Sequence, residues 1–168
     1  IFGKGTSAIG YGHSVGIGPL NYLEDGSSFA FGLGNSATIS NTFAIGEFNN
    51  VAGFGSFGIG AVNSVLGSYN LAVGENNTNG GDHSYTFGIS NTNTGLGVDG
   101  SFVIGSFNTN VGNKLVAGFK DIVNGTTNTV FGTTHSVNGN NTTHIGYRNV
   151  STGGNYVKYG FVGGEKSG

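Results

Sequence analysis

The chain has 168 residues, of which 35 are Gly and 8% are charged, against about 7% Gly and about 25% charged in an ordinary globular domain. A single Pro without a three-residue glycine period excludes collagen, and the steady supply of Phe, Ile and Val excludes a disordered linker. With no Cys there is no disulfide framework, thiol nucleophile or Cys-held zinc, and a net charge of −2 with 6 Lys and Arg leaves no footprint for nucleic acid or an anionic membrane surface.

The sequence opens mid-pattern at Ile1, with no apolar leader and no run of 18 apolar residues, which is expected of a piece cut from a longer protein. An apolar residue followed by Gly then recurs: Ile9-Gly10, Phe31-Gly32, Ile45-Gly46, Ile59-Gly60, Val73-Gly74, Phe87-Gly88, Ile104-Gly105, Ala117-Gly118, Phe131-Gly132, Ile145-Gly146 and Tyr159-Gly160. Seven of the ten intervals between these glycines are 14. Three positions before the glycine stand Phe29, Phe43, Phe57, Leu71, Tyr85, Phe102 and Leu115. That alternation predicts a short strand in every repeat, with the Phe and Ile face forming the core. Five positions after the glycine come Val15, Ala37, Val51, Val65, Val123 and Val137, which predict a second strand. Helical spacing is nowhere sustained. Two strands and two turns per 14 residues, stacked on copies of themselves, make a parallel β-solenoid in which each repeat pairs only with its neighbours. Eleven coils at about 4.8 Å give a rod roughly 50 Å long.

Three positions after the glycine the chain places His13, Asn35, Asn49, Asn63, Asn77, Asn91, Asn108, Asp121, His135 and Asn149. These residue types tolerate positive φ and bond their own turn backbone, so a tight corner is expected in every coil, with the side chains forming a ladder. Membership of this column makes His13 and His135 structural rather than metal ligands. Two positions before the glycine stand Ala8, Ala30, Ala44, Gly58 and Ala72, on the strand face opposite Phe and Ile. A row of small residues on an outer face is what a close-packed neighbour requires, so these five are the expected subunit contact. The second strand shows Ser36, Asn50, Ser64, Thr78, Thr92, Thr109 and Ser136 outward, a face expected to meet water.

The stretches "SSFAFG", "NTFAIG", "YNLAVG" and "GSFVIG", each followed by a polar bridge and a second half such as "NSVLG" or "HSVNG", resemble the YadA-like head repeat of trimeric autotransporter adhesins, from Gly5 to about Gly160. The resemblance implies an all-β, left-handed parallel β-roll with 14-residue coils, assembled as a homotrimer. It further implies display at the bacterial outer membrane on a stalk and anchor outside this chain. The implied partner is a host receptor of the CEACAM type or a matrix protein such as collagen or fibronectin. The small column changes to His144 and Lys158 near the C-terminus, which loosens the expected contact there.

β-Solenoids also serve as polysaccharide lyases and phage tailspikes, whose acid and base chemistry needs clustered carboxylates. Here Glu24 and Asp25 are adjacent, Glu47 and Glu75 lie two coils apart, and Asp82, Asp99, Asp121 and Glu165 are scattered. No catalytic, cofactor or metal site is expected, and the chain is read as a non-enzymatic adhesin head. A phage tail-fibre module of similar roll, or a glycan-binding or lyase solenoid, is the alternative.

Three intervals depart from 14, being 22, 17 and 13, and the changes can be placed after Ile17, Gly95 and Gly112, along one edge of the rod. The longest, "GPLNYLEDG", carries the single Pro and the adjacent carboxylates. Loops held by a rigid scaffold tend to carry recognition. Leu20, Asn21, Tyr22, Leu23, Glu24 and Asp25 are therefore the expected receptor-binding residues.

Overall fold

The computed structural model describes residues 1–10, 12–94, 100–112, 114–155 and 157–160. Among these the protein is all-β, with two parallel sheets of 11 strands each and no helix. One sheet takes Val15–Ile17, Phe29–Leu33, Phe43–Glu47, Phe57–Ala61, Leu71–Glu75, Tyr85–Ile89, Phe102–Ser106, Lys114–Phe119, Asn128–Thr133, Thr143–Tyr147 and Val157–Gly160. The other takes Ser7–Ile9, Tyr22–Glu24, Ser36–Ala37, Asn50–Val51, Ser64–Val65, Thr78–Asn79, Thr92–Asn93, Thr109–Val111, Ile122–Asn124, Ser136–Asn138 and Val150–Ser151. The chain alternates between them and pairs each strand with its like in the next turn, which is a β-solenoid. In the first sheet Phe43 faces Phe57 and Gly46 faces Gly60; in the second Asn50 faces Ser64 and Val51 faces Val65. The glycine column is a steric necessity: at Gly46 φ is 119° and a Cβ would come within 1.9 Å of the Gly60 carbonyl oxygen.

The sheet alternation is as the sequence predicts, but its sense is reversed. Ala30, Ala44, Gly58 and Ala72 point into the rod and are buried, so they are not available as a subunit contact. Phe31, Phe57 and Ile104 stay 49%, 38% and 44% exposed on the outside. The reason is volume. The two sheets close on each other through tight corners, and along the middle coils the space between them is filled by Ala and Val rather than by Phe or Ile. Ala37, Ala44, Val51, Val65 and Ala72 form one buried apolar cluster, and Val103, Val116, Val123, Val130 and Val137 form another. Between the clusters the lumen turns polar, where Asn110 Nδ2 donates to Asn93 Oδ1 at 3.0 Å and Asn93 Nδ2 donates to the Thr86 hydroxyl at 3.2 Å.

The first coils also take a different register from the one expected. Val15 faces Phe29 and Ile17 faces Phe31, whereas Ala8 lies in the other sheet opposite Leu23. The segment after Ile17 is therefore a regular coil and not an insertion. "VGIGPLN" is in step with "FAFGLGN" that follows it, and Asn21 fills the corner position assigned to His13. Ile9-Gly10 imitates the signature dipeptide but has no Asn three residues later. The separation of 17 between corner residues Asn91 and Asn108 and of 13 between Asn108 and Asp121 is real. The shortening falls between Val111 and Lys114, and the expected change after Gly95 lies outside the described residues.

Candidate functional site

The outer face of the first sheet carries two apolar rows along the rod. One row runs through Phe29, Phe43, Phe57, Leu71, Tyr85 and Phe102 and the other through Phe31, Ile45, Ile59, Val73, Phe87 and Ile104. The rings of Phe43 and Phe57 stack at 4.7 Å with 5° between their planes, and Phe87 and Phe102 meet at 5.7 Å. Beside these rows the glycine column leaves a shallow groove, lined near one end by Ile17, Phe31 and Ile45. Toward the C-terminus Thr129 and Thr143 continue the first row, so the aromatic character fades there. The second sheet shows Ser36, Asn50, Ser64, Thr78 and Thr92 outward, as expected.

The two faces meet at corners built from buried side chains. At Asn63 the backbone N–H donates to Asn49 Oδ1 at 3.1 Å, and Nδ2 donates to Asn49 Oδ1, the Ile59 carbonyl and the Gly74 carbonyl at 2.9, 3.1 and 2.9 Å. The same bonds recur from Asn21 through Asn91. Positive φ falls one residue before the ladder, at Phe48 (53°), Val62 (56°) and Asn76 (55°), and not on Asn49, Asn63 or Asn77 themselves. The opposite corner has a second buried polar ladder that the sequence reading missed, through Ser28, Thr42, Ser56, Asn70, Ser84, Ser101, Lys114, Asn128 and Thr142. Its members bond along the rod, as when Ser84 N–H donates to Asn70 Oδ1 at 2.7 Å. The signal was a polar residue immediately before each Phe, Leu or Tyr of the outer row.

Ionisable groups enter the interior in the C-terminal half. Lys114 donates from Nζ to the Val123 carbonyl at 2.7 Å, and burial lowers its pKa to about 7. Burial raises the Asp121 carboxyl to about 6. His135 is lowered chiefly by burial, and His144 is lowered to about 4 by burial with added repulsion from His135 and Lys158. Among the described residues no three His, Asp or Glu side chains are grouped to hold a metal ion.

The expected receptor residues are not one loop. Asn21 and Leu23 are fully buried, in the ladder and the lumen, whereas Leu20, Tyr22, Glu24 and Asp25 are exposed. The Tyr22 hydroxyl donates to Glu24 Oε2 at 3.1 Å, a bond that raises the Tyr22 pKa. Comparison with known proteins gives no match, whether to a family model, a curated protein or a solved structure.

Proposed function

We propose that the chain is the head of a trimeric bacterial surface adhesin, a left-handed β-roll of 14-residue coils that binds a host receptor or matrix protein and carries no enzymatic activity. The observation that supports this reading is the pair of outward-facing apolar rows along one sheet, half-buried at Phe43, Ile45 and Ile59 and exposed at Phe31, Phe57, Phe102 and Ile104. A contiguous apolar stripe on a soluble domain marks an interface. Three copies whose stripes turn toward a common axis bury it in a closed ring. This moves the subunit contact from Ala8, Ala30, Ala44, Gly58 and Ala72 to the outer rows of the first sheet. It also leaves the Ser, Thr and Asn face of the other sheet toward solvent, where recognition would take place together with the exposed Leu20, Tyr22, Glu24 and Asp25.

The test is binding of the folded chain to immobilised collagen, fibronectin and CEACAM-type ectodomains, with the assembled state checked in the same samples. Saturable binding to one of them supports the adhesin reading. Joint substitution of Leu20, Tyr22, Glu24 and Asp25 by Ser should then weaken it at least tenfold, about 1.4 kcal/mol. Binding that is unchanged in this variant places the contact on the polar sheet face. A correctly assembled head that binds none of the panel, and that fails to bind host cells, contradicts the reading.

A further inference from the structure

The Asn corner repeats one bonding rule along the rod, and Asp121 breaks it. At Asn63, Asn77 and Asn91 the amide Nδ2 donates to the preceding rung's Oδ1 and to the next glycine carbonyl. Every group around that Nδ2 is an acceptor. Asp121 occupies the same rung and is fully buried. Its N–H donates to Asn108 Oδ1 at 3.0 Å, and its Oδ1 accepts the His135 N–H at 2.8 Å, as an Asn Oδ1 does elsewhere. Oδ2 therefore stands where Nδ2 stands on other rungs. It lies against Gly118 beside the Gly132 carbonyl, just as Asn108 Nδ2 lies against Gly105 and donates to the Gly118 carbonyl at 2.9 Å. Oδ2 has no donor to bond.

The neighbouring cations do not neutralise it. Lys120, next in sequence, is exposed with its ammonium over the Phe119 ring at 5.1 Å. Lys114, on the strand leading to this corner, sits at the opposite corner against the Val123 carbonyl. On the following coil the His135 ring points Nε2 at the Phe131 carbonyl and accepts the Asn149 N–H on Nδ1, so a second ring proton would meet a donor. His144, on the coil after, lies with its ring 6.2 Å from that of His135 and is held below the ordinary histidine range by burial. The preceding coil brings Asn108 and no ionisable group among the described residues.

We propose that Asp121 is held in the rod as the neutral carboxylic acid, its O–H donating to the Gly132 carbonyl in place of the amide, and that loss of this proton opens the ladder between Asn108 and His135. Burial of the carboxyl acts in the same direction. A folded-state pKa above the unfolded one contributes stability that is whole below the ordinary carboxylate range and is lost as pH rises through about 6. His135 and His144, both lowered, work in the opposite sense, and their contributions are lost as pH falls below the ordinary histidine range, that of His144 as pH falls through about 4. The Asp121 contribution is therefore read against a variant at each pH.

The test uses the full chain with 13C at the aspartate carboxyls and follows Asp121 by NMR, assigned by its absence in Asp121→Asn. The expected midpoint is near 6, and a midpoint in the ordinary range of about 4 overturns the proposal. In parallel the thermal midpoints of wild type and Asp121→Asn are compared from pH 4 to pH 7.5. The variant, an amide donor that never ionises, should gain several degrees at pH 7.5 and little at pH 4. A gain that is the same at every pH overturns the proposal as well. If the variant does not fold, its absence from the spectrum is replaced by assignment through the His135 amide, and the wild-type midpoint decides.

Discussion

The two outer faces of this rod come from the same short coil, yet one is lined by Phe and Ile and the other by Ser, Thr and Asn. They enclose one lumen and each is paired in parallel with its like in the next turn, so backbone pairing does not account for the difference. A polar face is already satisfied by water. An apolar face of stacked rings such as Phe43 and Phe57 gains only when something covers it. The difference teaches that apolar pattern in a solenoid has two destinations, the lumen and the outer face, and that the larger side chains here go to the outer face.

The largest effect should come from placing a charge on each face in turn. If the proposed assembly covers the apolar face, Ile59→Glu should disperse it to single chains, since a charge buried there without a partner costs on the order of 3 kcal/mol or more. Ser64→Glu on the opposite face should change stability by less than about 0.5 kcal/mol. Equal effects of the two changes, read by light scattering and thermal melting, would erase the distinction between the faces.

The seam between the faces comes next. Asn63→Val removes donors to Asn49 Oδ1, the Ile59 carbonyl and the Gly74 carbonyl and strips Asn77 N–H of its acceptor. With each buried orphan worth about 1–3 kcal/mol, a loss of about 3 kcal/mol or more in chemical denaturation is expected. A loss below about 1 kcal/mol would mean that the ladder contributes little to the corner.

Much of this was legible in the sequence. The interval of 14 and the Gly and Asn columns are enough for a two-strand parallel coil and a laddered corner. What alternation alone does not carry is its sense, because it separates two faces without saying which one is inside. The deciding quantity is the width of the lumen, which is set by both corners at once and admits Ala44 against Val51 but not Phe43. The first coil misled for a related reason. Ile9-Gly10 matches the local signature, while Gly18 with Asn21 satisfies the longer-range requirement that a corner amide reach Gly32 at 2.9 Å in the next coil. The receptor candidates fell with that register, since Asn21 and Leu23 had repeat partners all along.

Two smaller predictions sharpen the inside–outside assignment. Ala44→Leu should destabilise by about 1–3 kcal/mol through overpacking of the lumen while leaving the mass of the folded fraction unchanged. Dissociation without loss of fold would return Ala44 to the subunit contact. Val62 is a β-branched residue at φ 56°, 51% exposed, at a position where Gly34 does the same turn. Val62→Gly should be neutral or stabilising by up to about 1 kcal/mol, because relief of left-handed strain of about 1–2 kcal/mol exceeds the entropy cost of Gly. A clear loss of stability in thermal melting would show that the Val62 side chain is engaged by a neighbour.

The most direct measurement is the mass of the folded chain by sedimentation equilibrium, with β structure verified by circular dichroism in the same cell. The apolar-face assembly predicts three times the 17.0 kDa chain mass, collapsing toward one chain in Ile59→Glu if that variant folds. A folded wild-type chain that sediments at the mass of one copy would contradict it, and one at twice that mass would replace the closed ring by a face-to-face pair.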